Sequence, residues 1–227
     1  MTHFEADIRG LRERLLTMAS LASTAVRQAV KAMIDRDDDL ANKVEDEDTA
    51  LDTLEKDVDE VAVLLLLRAP LARDLRLIMV ATKISHDLER VGDEATAIAR
   101  RARELNREPL LKPYVDLPRM ANMVLEMLET AISAFVDSNS ERARAVIPRD
   151  KEVDLLNKQL HRELTSFIAE NPANISRCLN LMAISKRLER IGDHAKNIAE
   201  EVVYFSEAQD IRHTQPNPDA SGAPAAP

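Results

Sequence analysis

Residues 84–99 read ISHDLERVGDEATAIA and residues 184–199 read ISKRLERIGDHAKNIA, and ten of these sixteen positions are identical. An internal match of this strength means a duplicated unit. A period of about 100 residues is too long for the short repeats of a solenoid and fits a doubled domain. Whatever one half of this 227-residue chain folds into, the other half must fold into as well.

The unit is helical. Phe4, Ile8, Leu11, Leu15, Met18, Ala22, Ala25 and Ala29 recur at spacings of four and three, which keeps them on one helix face. Leu40, Val44, Leu51, Leu54, Val58, Val61 and Leu65 make a second run, with Glu47 filling one slot. Leu77, Ala81, Ile84, Leu88, Val91, Ala95 and Ile98 make a third. The pattern restarts with Met120, Val124, Met127, Ala131 and Ala134, continues through Val153, Leu156, Leu160 and Leu164, and ends with Leu181, Ile184, Leu188, Ile191, Ala195, Ile198 and Val202. Asp35 to Asp39 and Pro70 separate the first three runs, and Asn171-Pro172 separates the last two. Only four glycines occur, too few for a fold that turns every few residues. Aromatic residues are 3% and Trp is absent, so the core is expected to be aliphatic. A narrow apolar stripe on long helices is the pattern of a bundle. The expected fold is all-α, two tandem three-helix bundles. Residues 1–107 form the first bundle and 119–207 the second. The proline-rich stretch 108–118 is the linker, and 208–227 are a disordered tail rich in Pro, Ala, Asn and Asp.

Charge and composition exclude several functions. The net charge is −9, which repels phosphate backbones, and few aromatics means few platforms for base stacking, so no direct nucleic-acid partner is expected. The longest apolar run, Val61 to Leu67, is far short of the roughly 20 residues a bilayer requires. The first residues, MTHFEAD, lack the features of a signal peptide, so a cytoplasmic protein is expected. Cys178 is the only cysteine and reads as a small core residue.

Paired carboxylates are the candidate chemistry. Glu89 and Asp93 lie four apart on the third helix, and Glu189 and Asp193 repeat them on the sixth. Asp48 with Asp52, and Asp150 with Asp154, form matching pairs on the preceding helices. Residues four apart share a helix face, where like charges repel. If neighbouring helices run antiparallel, each half gathers four carboxylates. Hard oxygen ligands suit Mg, Mn, Ca or oxidised Fe. The competing reading is a solvated acidic face paired with Arg73, Arg76, Arg90, Lys151, Arg187 and Arg190. Gly92 and Gly192 each cost their helix about 1 kcal/mol relative to Ala, which suggests close approach of another helix. Glu55 and Asp59 of the first half become Asn157 and His161 in the second, so the first cluster is expected to be the more acidic. Pro148, two residues before Asp150, is expected to kink or restart the fifth helix. His161 and His194 are expected to face solvent. No Glu-x-x-His, His-Glu-x-x-His, glycine-rich phosphate loop or nucleophile elbow occurs, and nothing assembles an activated nucleophile.

The doubled Leu-Glu-Arg-x-Gly-Asp segment, with Pro70-Leu71-Ala72-Arg73-Asp74-Leu75-Arg76 opening the third helix, resembles the PhoU family of phosphate-specific transport accessory proteins. The resemblance spans the chain apart from its tail. It implies a negative regulator of the phosphate-starvation regulon and of phosphate uptake, one that is not an enzyme. Its implied partners are a phosphate ABC transporter and a sensor histidine kinase, and it meets the membrane only through them. It also implies a homodimer. Family members bind iron or other metals through Glu/Asp-x-x-x-Asp motifs. These match Asp48/Asp52, Glu89/Asp93, Asp150/Asp154 and Glu189/Asp193, so Fe, Mn, Mg or Zn is the implied cofactor. Two other functions compete: a carboxylate-cluster metal-binding protein or metal-dependent enzyme, and a purely structural helical module.

Overall fold

The computed structural model describes residues 3–68 and 71–212. Eight α-helices follow in order among them: α1 His3–Asp35, α2 Asp38–Glu47, α3 Thr49–Leu66, α4 Ala72–Asn106, α5 Asp116–Asp137, α6 Ser140–Val146, α7 Arg149–Glu170 and α8 Ile175–Glu207. A single 3-10 turn, Pro172–Asn174, precedes α8, and no strand occurs among the described residues. The first repeat is α1 to α4 and the second α5 to α8. Pro70 and residues 213–227 lie outside the described residues.

The middle helix of each repeat is broken; in the first, the apolar run predicted one continuous helix. The junctions are Asp48, between α2 and α3, and Ile147-Pro148, between α6 and α7. Pro148 has no N–H to donate to the preceding turn, so the helix restarts there, as its position predicted. At Asp48 the break is milder. The residue keeps helical torsions (φ −58°, ψ −40°), but Leu51 N donates to Asp48 O at 3.0 Å, a tightened i,i+3 turn. Helix-poor Asp and Thr crowd this junction and weaken its hold on α-geometry.

The turns before these broken helices repeat too. Arg36 (φ 57°) and Ser138 (φ 51°) both take the left-handed conformation. The next residue in each case caps a helix. Asp37 accepts from Leu40 N at 2.9 Å, and Asn139 accepts from Arg142 N at 2.9 Å. Arg36 also donates to Glu108 O at 2.7 Å, tying the end of α1 to the end of α4.

The long helices α4 and α8 are the most buried and lie back to back. Each is flanked by the other helices of its own repeat, and α1 meets α5 across the repeat boundary. The core is aliphatic, with Leu11, Leu15, Met18, Ile84, Leu88, Ile98, Met120 and Met127 fully enclosed. One aromatic pair contributes, Phe135 with Phe205 at 6.3 Å between ring centres. Cys178 is buried, the core residue the sequence suggested.

The seam between α4 and α8 is polar. Lys83 pairs with Glu201 at 2.9 Å, Asp87 with His194 at 2.8 Å and Glu94 with Arg187 at 3.0 Å, and Arg101 donates to Asn180 at 3.2 Å. Residue numbers rise along α4 as they fall along α8, so the two helices run antiparallel. His194 is therefore an interior seam residue, not the solvent-facing side chain the sequence suggested. Its ring is 20% exposed and held against Asp87. His161 is also half-buried, and its Nε2 is enclosed with no hydrogen-bond partner.

Candidate metal centre

In the first repeat, α3 and α4 bring their acidic faces together because α4 carries no side chain at Gly92. A Cβ there would overlap Leu51 Cδ1 and lie 3.5 Å from Asp48 Oδ1. The bare backbone thus lets the start of α3 settle onto α4, with Asp48 beside Asp93. This is the packing role the repeated glycine predicted. Burial raises the Asp48 carboxyl above its ordinary range, and the charges of Asp93 and Asp52 push it further. Burial also raises Glu89, reinforced by Asp93 and Glu55.

The four predicted residues of this repeat therefore share one electrostatic environment. Two further ligand-type residues join them. Glu55 on α3 and His86 on α4 face each other, with His86 Nδ1 3.1 Å from Glu55 Oε1. One ligand atom from each of Glu55, His86 and Glu89 lies within 4.8 Å of the other two. Glu89 is half-buried, and its enclosed Oε2 makes no hydrogen bond. The replacement of Glu55 by Asn157 in the second half already counts Glu55 toward this cluster, and helical spacing could have found His86 as well. Glu55 is three residues beyond Asp52, and His86 three before Glu89, each on the face already marked. Arg90 is the basic residue in contact with this cluster, 2.7 Å from Asp93 and 3.2 Å from Glu89, and Arg100 adds a weaker positive charge at Asp48.

In the second repeat, Asp150 and Asp154 on α7 meet Glu189 and Asp193 on α8. Burial raises the Asp193 carboxyl, and Asp150, Glu189 and Asp154 add to the effect. Here two lysines enter. Lys196 Nζ lies 2.9 Å from Asp150 Oδ2, and Lys186 pairs with Glu189. Asn157 stands where Glu55 stands in the first repeat, and its side-chain oxygen is taken by Ser185 Oγ at 2.5 Å. A Cβ at Gly192 would meet Val124 at 3.4 Å and Val153 at 3.7 Å, so this approach is looser than at Gly92. Of the other basic residues, Arg187 and Arg190 turn to Glu94 across the seam instead of the acidic cluster, and Arg73 lies over the Phe205 ring.

Fold and site together define a class: a duplicated three-helix bundle with an acidic cluster at the same place in each copy. The comparisons agree. The model of the PhoU domain matches residues 15–102 and 117–202, once per repeat. The phosphate-specific transport system accessory protein PhoU homolog of Pseudomonas aeruginosa is 41% identical over 212 residues, covering 92% of this chain and 88% of that protein. The homologue of Aquifex aeolicus is 39% identical, covering 91% of this chain and 94% of that protein. The crystal structure of PhoU from Pseudomonas aeruginosa superposes with a TM-score of 0.88 at 40% identity, over 91% of this chain and all of that one. The regulatory protein PhoU of Streptococcus pneumoniae shares the fold, with a TM-score of 0.87 at 23% identity over 92% of this chain and 99% of that one. This chain belongs to the PhoU family.

Proposed function

We propose that the protein is an accessory regulator of phosphate transport which holds the phosphate-starvation response off when phosphate is ample. It does so by linking a phosphate ABC transporter to a sensor histidine kinase, as a cytoplasmic homodimer and without catalysing a reaction. The observation that carries this reading is similarity over about nine-tenths of the chain to relatives named as accessory proteins of the phosphate-specific transport system. A surface suited to a protein partner supports it. Leu67 and Leu71, at the α3–α4 corner, are 77% and 78% exposed, and Val63, Leu64, Leu75 and Met79 lie exposed beside them along the two helices. No described helix is long and apolar enough to cross a membrane. A phosphatase reporter of the regulon, read in a deletion strain grown with ample phosphate, tests the proposal. It should come on. A silent reporter that also stays silent in strains lacking any paralogue overturns it.

The same reading includes a metal ion, Fe, Mn, Mg or Zn, held by the carboxylate clusters. Support is strongest in the first repeat, where the enclosed Glu89 Oε2 makes no hydrogen bond and has only an ion pair with the half-exposed Arg90 at 3.2 Å, and the Glu55–His86–Glu89 trio adds an imidazole. Asp48, Asp52, Glu55, His86, Glu89 and Asp93 would hold it. The metal would supply positive charge that locks α3 to α4. Glu189, Asp193, Asp150 and Asp154 form the corresponding set in the second repeat.

A further inference from the structure

The two acidic clusters occupy the same place in the two repeats, yet they are neutralised differently. Matching residues 84–99 to 184–199 sets Thr96 opposite Lys196 and His86 opposite Lys186. On the first repeat, five carboxylates (Asp48, Asp52, Glu55, Glu89, Asp93) are met directly by one guanidinium, that of Arg90, with a weaker contribution at Asp48 from Arg100, which is itself paired with Glu45. On the second, four carboxylates share two ammonium groups, those of Lys186 and Lys196. Asp150 is only 7% exposed; its Oδ2 is held by Lys196 at 2.9 Å, while its enclosed Oδ1 makes no hydrogen bond.

We infer that the second cluster does not take a metal ion in this protein, because the side chain of Lys196 serves as its built-in cation. The inference rests on the metal reading of the clusters given above. Its physical basis is charge and tethering. An ammonium is a compact point charge with three donors, and it satisfies a buried carboxylate much as a cation would. It is anchored to the same helix as Asp193 and cannot diffuse away. An incoming divalent ion must displace it or accept its repulsion at close range, where the interaction is only partly screened. Asn157 removes a further carboxylate, since it occupies the place of Glu55 and its oxygen is engaged by Ser185. The first repeat has no lysine in this role. Thr96 is neutral, and the guanidiniums of Arg90 and Arg100 leave most of the five carboxylate charges uncompensated. Of the two clusters, then, one calls for a cation and the other carries its own.

The test uses full-length protein stripped with chelator, reloaded with Mn2+, desalted and analysed for bound manganese. Affinity is measured by titration. Lys196→Thr installs the residue that the first repeat already carries at this place, and Lys196→Gln is the second neutral variant. Either should raise Mn2+ binding attributable to the second repeat at least about tenfold, the order expected for removing a unit charge beside the ion. Adding Asp193→Asn to Lys196→Thr should abolish the gain, and Lys196→Arg should show none. In the wild-type chain, Asp150→Asn and Asp193→Asn should leave bound manganese unchanged. The inference is overturned if either neutral Lys196 variant, folded by circular dichroism, binds no more metal, or if wild-type protein loses metal when Asp150 or Asp193 is neutralised. Failure of the underlying reading looks different: the wild-type chain would keep its manganese when Glu89 and Asp93 are neutralised, or bind none, whatever the Lys196 variants do.

Discussion

Gly92 and Gly192 lie at equivalent turns of equivalent helices but face different neighbours. Replacing either with Ala removes a helix penalty of about 1 kcal/mol. At Gly192 the new methyl meets Val124 and Val153 at ordinary contact distance, so the helix gain should dominate. Gly192→Ala should be neutral or stabilising by up to about 1 kcal/mol. At Gly92 the methyl overlaps Leu51 and presses toward Asp48, and overpacking of this kind costs typically 1–3 kcal/mol. Gly92→Ala should therefore be net destabilising, by about 1 kcal/mol, in urea unfolding. Equal and stabilising effects at both sites would show that α3 does not press on α4 as described. The close packing could be suspected from two glycines one period apart. The difference between them could not, because it depends on whether Leu51 or a valine sits opposite, and that is set by the approach of the second helix. Glu55 and His86 teach the same lesson. Their helical spacing placed them on the acidic face, but only the facing of α3 to α4 makes an imidazole part of the cluster.

At the scale of the elements, the apolar periodicity located every long helix and missed the break at Asp48. The stripe runs through Asp48 without a change of face, since Leu40, Val44 and Leu51 remain on one side. Periodicity records which face is buried and is blind to a tightened turn that keeps the face in register. Pro148 was legible as a restart because it deletes a donor whatever the tertiary context. The paired caps carry an independent consequence. Asp37 and Asn139 each satisfy a backbone N–H at the start of a short helix, α2 and α6. A short helix has little propagation energy to absorb the loss of a cap. Asp37→Ala and Asn139→Ala should each cost about 1 kcal/mol, measured by chemical denaturation. The Asn139→Gly variant should cost only a few tenths. A loss under 0.3 kcal/mol for both alanine variants, roughly the noise of such measurements, would mean that the caps are ornamental to stability.

Across the whole molecule, the repeats have diverged where they touch. Asp87 and Glu94 of α4 align with Arg187 and His194 of α8. In the antiparallel seam, Asp87 meets His194 and Glu94 meets Arg187, with Arg190 3.3 Å from the same carboxylate. Had the copies stayed identical, acid would face acid. The exchange of charge makes first repeat against second the favourable pairing and like against like the unfavourable one. Glu94 is 8% exposed, while its arginines are partly in water, so the loss on Glu94→Ala should fall below the 3–5 kcal/mol of a fully buried pair, at about 2 kcal/mol. In a double-mutant cycle, Glu94→Arg with Arg187→Glu should recover part of what either single change loses. Strict additivity of the two would argue that the seam is held by its apolar contacts alone.

From the sequence alone, the helical class, the duplication, the aliphatic core and the placement of the acidic pairs in each repeat were determined. Each depends on local periodicity or on a repeat that any single strand of text displays. The tertiary structure decided which side chains meet. It carried His194 into the seam, set His86 beside Glu55 and placed Lys196 on Asp150. The physical reason is the same in each case. A helix fixes the direction of its side chains to within a turn, whereas the partner each one finds depends on the crossing of a second helix, and that crossing is chosen by the packing of the whole core.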